Sequence, residues 1–501
     1  MNILDFPFRS RKTMKRSVFL TWSSVVAVFL LVCSSLAAFA SPIRVGLAVR
    51  QSQAVVGGSS LTASDAKGHT VSLGSSATAV FRSGKLTVNG KKMMPPVTVK
   101  SASPLSYKGR RYLGTMQFVA AGGGLSVVNV LDVEQYLRGV LKMEVNPDWS
   151  KEALRAQAII SRTFALRSQG RFASLGFDLC DTPTSQVYGG LSAADPRVNQ
   201  VVASTKGEVL TYGGELAQTY FHSDSGGATA SSQDVWGGYV PYLQTVVDPF
   251  PTESRHASWT VRLTSAQIAA ACAQQGMKIG PVKRLSIIAR DKAGRPTLLR
   301  LDGTLGSVTI SSNKFRNIIG PTVLRSTFFS PDGNLPKVLA SGSAAKPQTE
   351  TALSRPSSGE EDVDQQIQNI IRQKLPDQGA SSSESSENRP LTGDERSQWK
   401  TLLDQGAFTT DELIDVLLHP ERKSFYLKKA LGQTPVTPAD QPLPTAAETF
   451  TAHDGGFVFA GRGNGHGVGL SQWEAKAMAD RGWNAERILA FFFPGTKVER
   501  R

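Results

Sequence analysis

Three short stretches of this chain hold residue types that could do chemistry. In "KMEVNP", Glu144 stands at the C-terminal end of a predicted helix, just before a break at Pro147. The carbonyl end of a helix dipole disfavours negative charge, and Met143 and Val145 flank the carboxyl. Its pKa is therefore expected to move up toward the range of a general acid. From spacing alone, a solvated Glu at a frayed helix end is the commoner reading, since perturbed carboxylates are the minority. In "YFHSDSGGAT" (residues 220–229), His222, Asp224 and Ser225 bring the three residue types of a protease triad into one segment. A triad is defined by geometry in space, and proteases of that kind draw their His and Asp from far upstream. The only histidine before His222 is His69, in a "KGHT" turn. Ser225 thus reads as part of a turn whose hydroxyls bind backbone or substrate.

The third stretch is "GRGNGHGVGL", where Gly461, Gly463, Gly465, Gly467 and Gly469 alternate around His466. Glycine this dense lets a backbone approach a ligand closely or take positive φ. "SQWE" follows, with Ser471 and Glu474 spaced as a capping box, so a helix is expected to start there. A glycine loop feeding a helix N-terminus suits an anion or a sugar hydroxyl, or is simply a tight turn. Neither metal nor cofactor is expected: H-E-x-x-H is absent, Cys180 has no C-x-x-C partner, and no dinucleotide G-x-G-x-x-G fits the loop.

The elements that must position these residues fall into blocks. Residues 42–130 alternate apolar and polar positions between Gly-rich turns, as in "IRVGLAVR" and "LSVVNV", which predicts a β-rich region. "LDVEQYLRGVLKM" then reads as a helix N-capped by Asp132, with Val133, Tyr136, Leu137 and Val140 on one face. Ser150 is the expected cap of a longer helix, buried through Leu154, Ala158, Ile160 and Phe164. Residues 200–330 return to β-like runs with short helices. The Ser-, Glu- and Pro-rich composition of residues 337–450 predicts disorder, with a small helical hairpin within "TGDERSQWKTLLDQGAFTTDELIDVLLH". The domain reading is 1–40, 41–336, 337–450 and 451–501, the fourth block completing the second. The fold class is α+β, β-rich, with a helical catalytic segment and an interrupting insertion.

Residues 1–40 carry five basic residues and one acid, then an apolar run ending in an A-x-A site, the form of an export signal or an uncleaved anchor. The expected localisation is extracytoplasmic. The formal charge of +15 for the 501 residues falls to about +11 without this segment, which suits an anionic partner. No basic run interleaved with aromatics marks a nucleic-acid surface. The remaining cysteines, Cys180 and Cys272, are either one bridge or two thiols.

Taken together and in order, "LDVEQYLRGVLKMEVNPDWSKEALRAQAIISRTFAL", "CDTPTSQVYGG", "YFHSDSGGATASSQDVWGGYVPYLQTV" and "GRGNGHGVGLSQWEAKAMA" resemble the stage II sporulation protein D family (SpoIID/LytB). The resemblance spans residues 42–330 and 452–498. It implies an exported lytic transglycosylase that cleaves peptide-stripped peptidoglycan glycan strands, with Glu144 as catalytic acid and base. It also implies a substrate-binding set of Arg162, Gln186, His222, Ser223, Ser225, Tyr242, His466, Ser471 and Gln472. Arg162 is expected to fold back toward Glu144 and bind an anionic group. The alternative implied by relatives named amidase enhancers is a non-catalytic wall-binding protein that stimulates a cell-wall amidase. Three departures stand out, one of them the long insertion at residues 337–450 before the Gly/His loop, to which no role is assigned. The run at Cys180 lacks two of the zinc ligands some members carry, so no zinc is expected. Gln244 stands where many members have Lys.

Overall fold

The computed structural model describes residues 42–250, 254, 256–339, 398–399, 401–402 and 447–501. The expected export segment lies outside them, as does nearly all of the expected helical hairpin. Among the described residues the protein is α+β, as its periodicities predict. Residues 43–131 form most of one eleven-stranded sheet. Its order runs from Leu179–Cys180 through Ile43–Gln51, Gly124–Leu131, Thr115–Ala121 and Val97–Lys100. It continues through Gln53–Ser64 and Thr70–Arg82 to the edge strands Lys85–Val88 and Lys91–Met93, and the hairpin Leu105–Tyr107/Arg110–Tyr112 branches off it. Alternation does the work here: in Lys85–Val88, Leu86 and Val88 are buried while Lys85 faces water.

The helical block follows. α1 (Val133–Arg138) starts at Asp132, whose carboxylate accepts from the Glu134 and Gln135 N–H groups as expected of an N-cap. The predicted single helix is in fact two, because the chain turns at Gly139 and restarts as α2 (Leu141–Glu144). α3 (Lys151–Arg167) is buried at Leu154, Ala158 and Ile160, with Phe164 partly covered. Ser150 does not cap it; its hydroxyl donates instead to Asp480. α3 touches two separate cores. Leu154, Ala158 and Ala165 pack with the β-rich region, while Ala156, Ile159 and Ile160 pack with Leu470, Met478 and Phe492 from the end of the chain.

Residues 196–330 contribute α4 (Pro196–Ser204), α5 (Ser232–Trp236), α6 (Ser265–Gln274) and α7 (Ser312–Ile319) with strands between them. The last block holds α8 (Gln472–Asp480) and α9 (Ala485–Phe492). Its strands complete four further sheets. Glu448–Thr451 pairs with Val282–Arg290, and Gly456–Gly461 lies between Trp259–Thr264 and Phe329–Ser330. Leu470–Ser471 runs parallel to Phe221–His222, and Lys497–Arg500 pairs with Glu208–Tyr212. The returning block therefore begins by Glu448, a little before the boundary expected from composition.

Gly469 fixes this return. It sits at φ +75°, and a Cβ there would lie 2.2 Å from the Tyr220 carbonyl oxygen, a backbone atom that has no side-chain freedom to yield. Gly469→Ala should lower stability by about 2–4 kcal/mol in urea unfolding, from positive-φ strain plus the clash. Gly482→Ala, at φ +84° with nothing near its Cβ, should cost only about 1 kcal/mol. Equal effects of the two would show that the Tyr220 contact does not hold the segment in place.

Candidate functional site around Glu144

α2 is only one turn long and ends at Val145, which is extended, so Glu144 is its last residue. The Glu144 Oε1 accepts from the Val187 N–H at 2.8 Å. Oε2 makes no hydrogen bond to a described residue and is not sealed from solvent. Burial raises the Glu144 pKa, and the Val187 N–H opposes it without cancelling it. The upward shift expected from a helix dipole therefore has another main origin: the carboxyl is half-buried, with no salt-bridging cation among the described residues.

The segment carrying Val187 is tied down on both sides. Tyr136 on α1 donates its hydroxyl to Gln186 Oε1 at 3.1 Å and stacks on Tyr188 with centroids 5.1 Å apart. Tyr188 in turn donates to Asn129 Oδ1 at 2.7 Å. Gln186 Nε2 is buried without a hydrogen-bond partner among the described residues. From the opposite side, Gln472 on α8 donates to the Glu144 carbonyl oxygen at 3.2 Å and to Gln157 Oε1 at 3.3 Å. Its neighbour Trp473 meets Trp149 edge-on, with centroids 5.2 Å apart. The structure thus brings Gln186 and Gln472 to Glu144. The sequence marked Tyr136 only as part of the buried helix face and did not mark the Val187 N–H, because a backbone donor and a core tyrosine leave no site motif.

A second group lies where Phe221–His222 runs beside Leu470–Ser471. His222 and His466 are 5.5 Å apart between ring centroids, and Trp236 and Tyr220 border His466 at 5.1 and 6.4 Å. Burial, with the Arg316 cation adding to it, pushes His466 down to about 4. Burial also pushes His222 well below the usual histidine range. Both rings are neutral near pH 7. His222 Nδ1 lies 3.2 Å from the Val468 carbonyl and must carry its proton, which leaves Nε2 as a buried acceptor without a partner. Ser223 is half-buried, and its carbonyl accepts from the Trp473 N–H at 3.1 Å, joining this group to the Glu144 side.

Ser225 is buried and its hydroxyl faces carboxylates rather than a histidine. It donates to Asp248 and lies 3.3 Å from Glu474, while accepting from the Gly227 N–H at 3.0 Å. That surrounding removes the protease reading. Ser471 accepts from the Ser225 N–H at 3.0 Å and donates its own hydroxyl to Glu474. The expected capping box is therefore absent, since Ser471 makes no cap bond to the α8 backbone. Arg295 stands behind the cluster, donating to the Ser225 and Ala228 carbonyls at 3.0 and 2.8 Å.

Arg162 does not fold back to Glu144. It is fully buried, and its guanidinium makes two 2.8 Å bonds to the Glu134 carboxylate and one of 2.9 Å to the Glu208 carbonyl. This fork binds α3 to α1 and to the strand at Glu208, and full burial keeps the guanidinium from an anionic ligand at the surface. Tyr242 is also placed elsewhere: its hydroxyl accepts from the Gln218 N–H at 2.7 Å and its ring packs on Tyr212 at 4.8 Å. Gln244 donates to the Val240 carbonyl at 2.7 Å. Cys180 and Cys272 are separate free thiols.

Against known proteins, the sequence model of the stage II sporulation protein family, SpoIID, matches residues 121–212, the span from the last long strand of the sheet through Glu144, α3 and Val187. The chain is 31% identical to an uncharacterized protein of Brachyspira hyodysenteriae over 235 residues, 47% of this chain and 62% of the relative. It is 26% identical to the amidase enhancer of Bacillus subtilis over 426 residues, 83% of this chain and 49% of that protein. With stage II sporulation protein D of Bacillus subtilis it shares 29% over 206 residues, 38% of this chain and 57% of the relative. The chain spans less than two thirds of the length of each. The likeness to the SpoIID family thus covers the segment that carries Glu144, and the likeness to each of these relatives covers only part of its length.

The buried carboxylates make stability depend on pH. Burial pushes Asp248 up to about 7 and Glu474 well up, with the Ser225 hydroxyl opposing at Asp248 and the Asp224 charge adding. The folded protein thus holds these protons more tightly than the unfolded chain, where Asp titrates near 3.8. The stabilisation is full below about 4 and is lost as pH rises through about 7. The two neutral histidines act in the opposite direction below their ordinary range, so the difference between proteins isolates the cluster. Urea midpoints measured from pH 5 to 8 should fall less steeply for Asp248→Asn than for the unsubstituted protein. Parallel curves would contradict a titrating Asp248.

Proposed function

We propose that this protein is a peptidoglycan lytic transglycosylase acting on glycan strands freed of stem peptides. The observation that carries the reading is Glu144: one half-buried carboxyl of raised pKa, fixed through Oε1 by the Val187 N–H, with Oε2 unengaged. Protonated Oε2 would donate to the glycosidic oxygen between MurNAc and GlcNAc as the bond to C1 breaks. The resulting carboxylate would accept the proton of the MurNAc 6-hydroxyl as that oxygen bonds to C1. The product carries a 1,6-anhydro ring and no water is consumed. Hydrolysis by ordinary glycosidases uses paired carboxylates, because a water or an enzyme nucleophile must be activated separately. An intramolecular nucleophile needs only one group, which gives and then takes a proton.

Around that step, the Trp149/Trp473 pair would supply apolar faces suited to pyranose rings, while the Val187 N–H, beside the Tyr136-bound Gln186, and Gln472 at the Glu144 carbonyl hold the residue from both sides. The buried His222, Ser225 and Ser471 would shape the site through the backbone at residues 221–227 and 470–473. The substrate lies outside the cytoplasm, in keeping with the export signal read in residues 1–40. No helix among the described residues is long and apolar enough to cross a membrane.

A second reading rests on one relative: a protein named an amidase enhancer aligns over 83% of this chain. The chain would then bind the glycan and stimulate a cell-wall amidase without cutting. Incubation with intact and amidase-stripped peptidoglycan, followed by mass spectrometry, separates the two. Anhydro-ended fragments are expected from stripped strands, with the rate cut about a hundredfold or more in Glu144→Gln. Strand binding without fragments, joined to faster cleavage by an added amidase, would establish the enhancer and contradict the enzyme.

A further inference from the structure

Arg162 being locked away leaves open which cations meet an anionic strand at the Glu144 site. Residues 42–131 carry eleven lysines and arginines against a single acid, Asp65. Asp65 is occupied by local bonds to the Lys67 and His69 N–H groups and the Met94 N–H. One group of these cations lies on a hairpin that packs against the segment carrying Val187. The hairpin Leu105–Tyr107/Arg110–Tyr112 turns through Lys108 and Gly109, both at positive φ, and Lys108, Arg110 and Arg111 are exposed. The hairpin packs on residues 181–192, the segment whose Val187 N–H holds Glu144. Arg111 N–H donates to Ser192 Oγ at 3.0 Å, and Tyr112 lies 6.0 Å from the Tyr188 ring.

The three side chains differ in how far they are engaged. Arg110 lies 3.9 Å from Asp181, the outer limit of a pair. The Lys108 ammonium sits 5.4 Å from the Tyr107 ring centroid and makes no salt bridge among the described residues, although its charge also acts on Asp181. The Arg111 guanidinium makes no salt bridge among them either. Beyond the hairpin, Arg82, Lys85 and Lys92 crowd the solvent side of the far edge of the sheet, where Arg82 pairs with Lys85 and Thr87 with Lys92. Like charges set together without acids repel one another, which an anionic partner relieves. No aromatic side chain of this region is among the exposed large apolar residues, so a base-stacking surface for single-stranded nucleic acid is not built here.

We propose that Lys108 and Arg111 form an anion-binding rim to the Glu144 site that engages the carboxylates of the glycan strand flanking the bond to be cut. The inference rests on the transglycosylase reading for the identity of the strand, but it concerns binding rather than cleavage. A strand without stem peptides carries one lactyl carboxylate per disaccharide, a regular row of single charges. Flexible, exposed lysine and arginine side chains suit such a row, because each carboxylate can be met without fixed register.

The test is retention of the chain on three insoluble supports across a salt series: stripped glycan strands, the same strands with their carboxylates amidated, and chitin. The variants are Lys108→Glu/Arg111→Glu and, as a distant control, Lys67→Glu. The unsubstituted protein should bind stripped strands more tightly than amidated ones, with affinity falling as salt rises. The double variant should bind stripped strands about five- to tenfold more weakly at low salt and amidated strands as before. Unfolding midpoints of the double variant should be unchanged, since both side chains are exposed. Equal retention of the double variant on stripped strands, or an equal loss with Lys67→Glu, would overturn the rim. If the double variant behaves as expected while no anhydro products form, the rim stands and the transglycosylase reading fails. If products form and binding ignores the carboxylates, the reverse holds.

Discussion

The structure depends on α3 being covered from two sides at once. A helix that buries Leu154 and Ala158 toward one core and Ile159 and Ile160 toward another cannot be satisfied by the β-rich region alone. The second cover comes from α8 and α9, more than three hundred residues later in sequence. Burying the second face removes large apolar area from water, and that gain drives the return of the end of the chain. The return also delivers Gln472 to the Glu144 carbonyl and Trp473 to Trp149. The site is therefore assembled from two distant stretches by the same contact that completes the core.

Polar groups make that contact specific. The Arg162–Glu134 fork locks α3 to α1, so the turn from α1 into α2 is held and Glu144 emerges at a fixed point. The Ser225, Ser471, Asp248 and Glu474 cluster does the same for the returning segment, with Arg295 closing its back. Buried charges of this kind are costly unless fully partnered, and several atoms here lack partners, among them Asp224 Oδ2 and Asp248 Oδ1. Protons on Asp248 and Glu474 relieve part of that cost, in keeping with the upward shift that burial gives these two carboxyls.

Much of this was legible in the sequence, for physical reasons that differ by element. The alternating strands of residues 42–131 and the Asp132 cap are local rules, and local rules read well from spacing. The return of the Gly/His block followed from motifs found in order. What spacing could not give was partnership across the chain. Arg162 looked like a free cation near Glu144 because Glu134 and the Glu208 carbonyl are neighbours only after folding. The Ser471–Glu474 spacing suggested a capping box, yet the buried cluster drew both side chains away from the backbone. Ser225 had the letters of a nucleophile, while Asp248 and Glu474, which surround it, lie 23 and 249 residues along. The upward shift of Glu144 was foreseen through a helix end, whereas burial beside Val187 supplies it.

The central claim is that Glu144 is a carboxyl poised to donate its proton. Carbon-detected NMR titration of glutamate-labelled protein, with Glu144→Gln to assign the signal, measures this directly. The account predicts a midpoint for Glu144 clearly above the ordinary value of 4.5. A midpoint at or below that value would mean the carboxyl is a solvated anion, and the acid role would have to be given up.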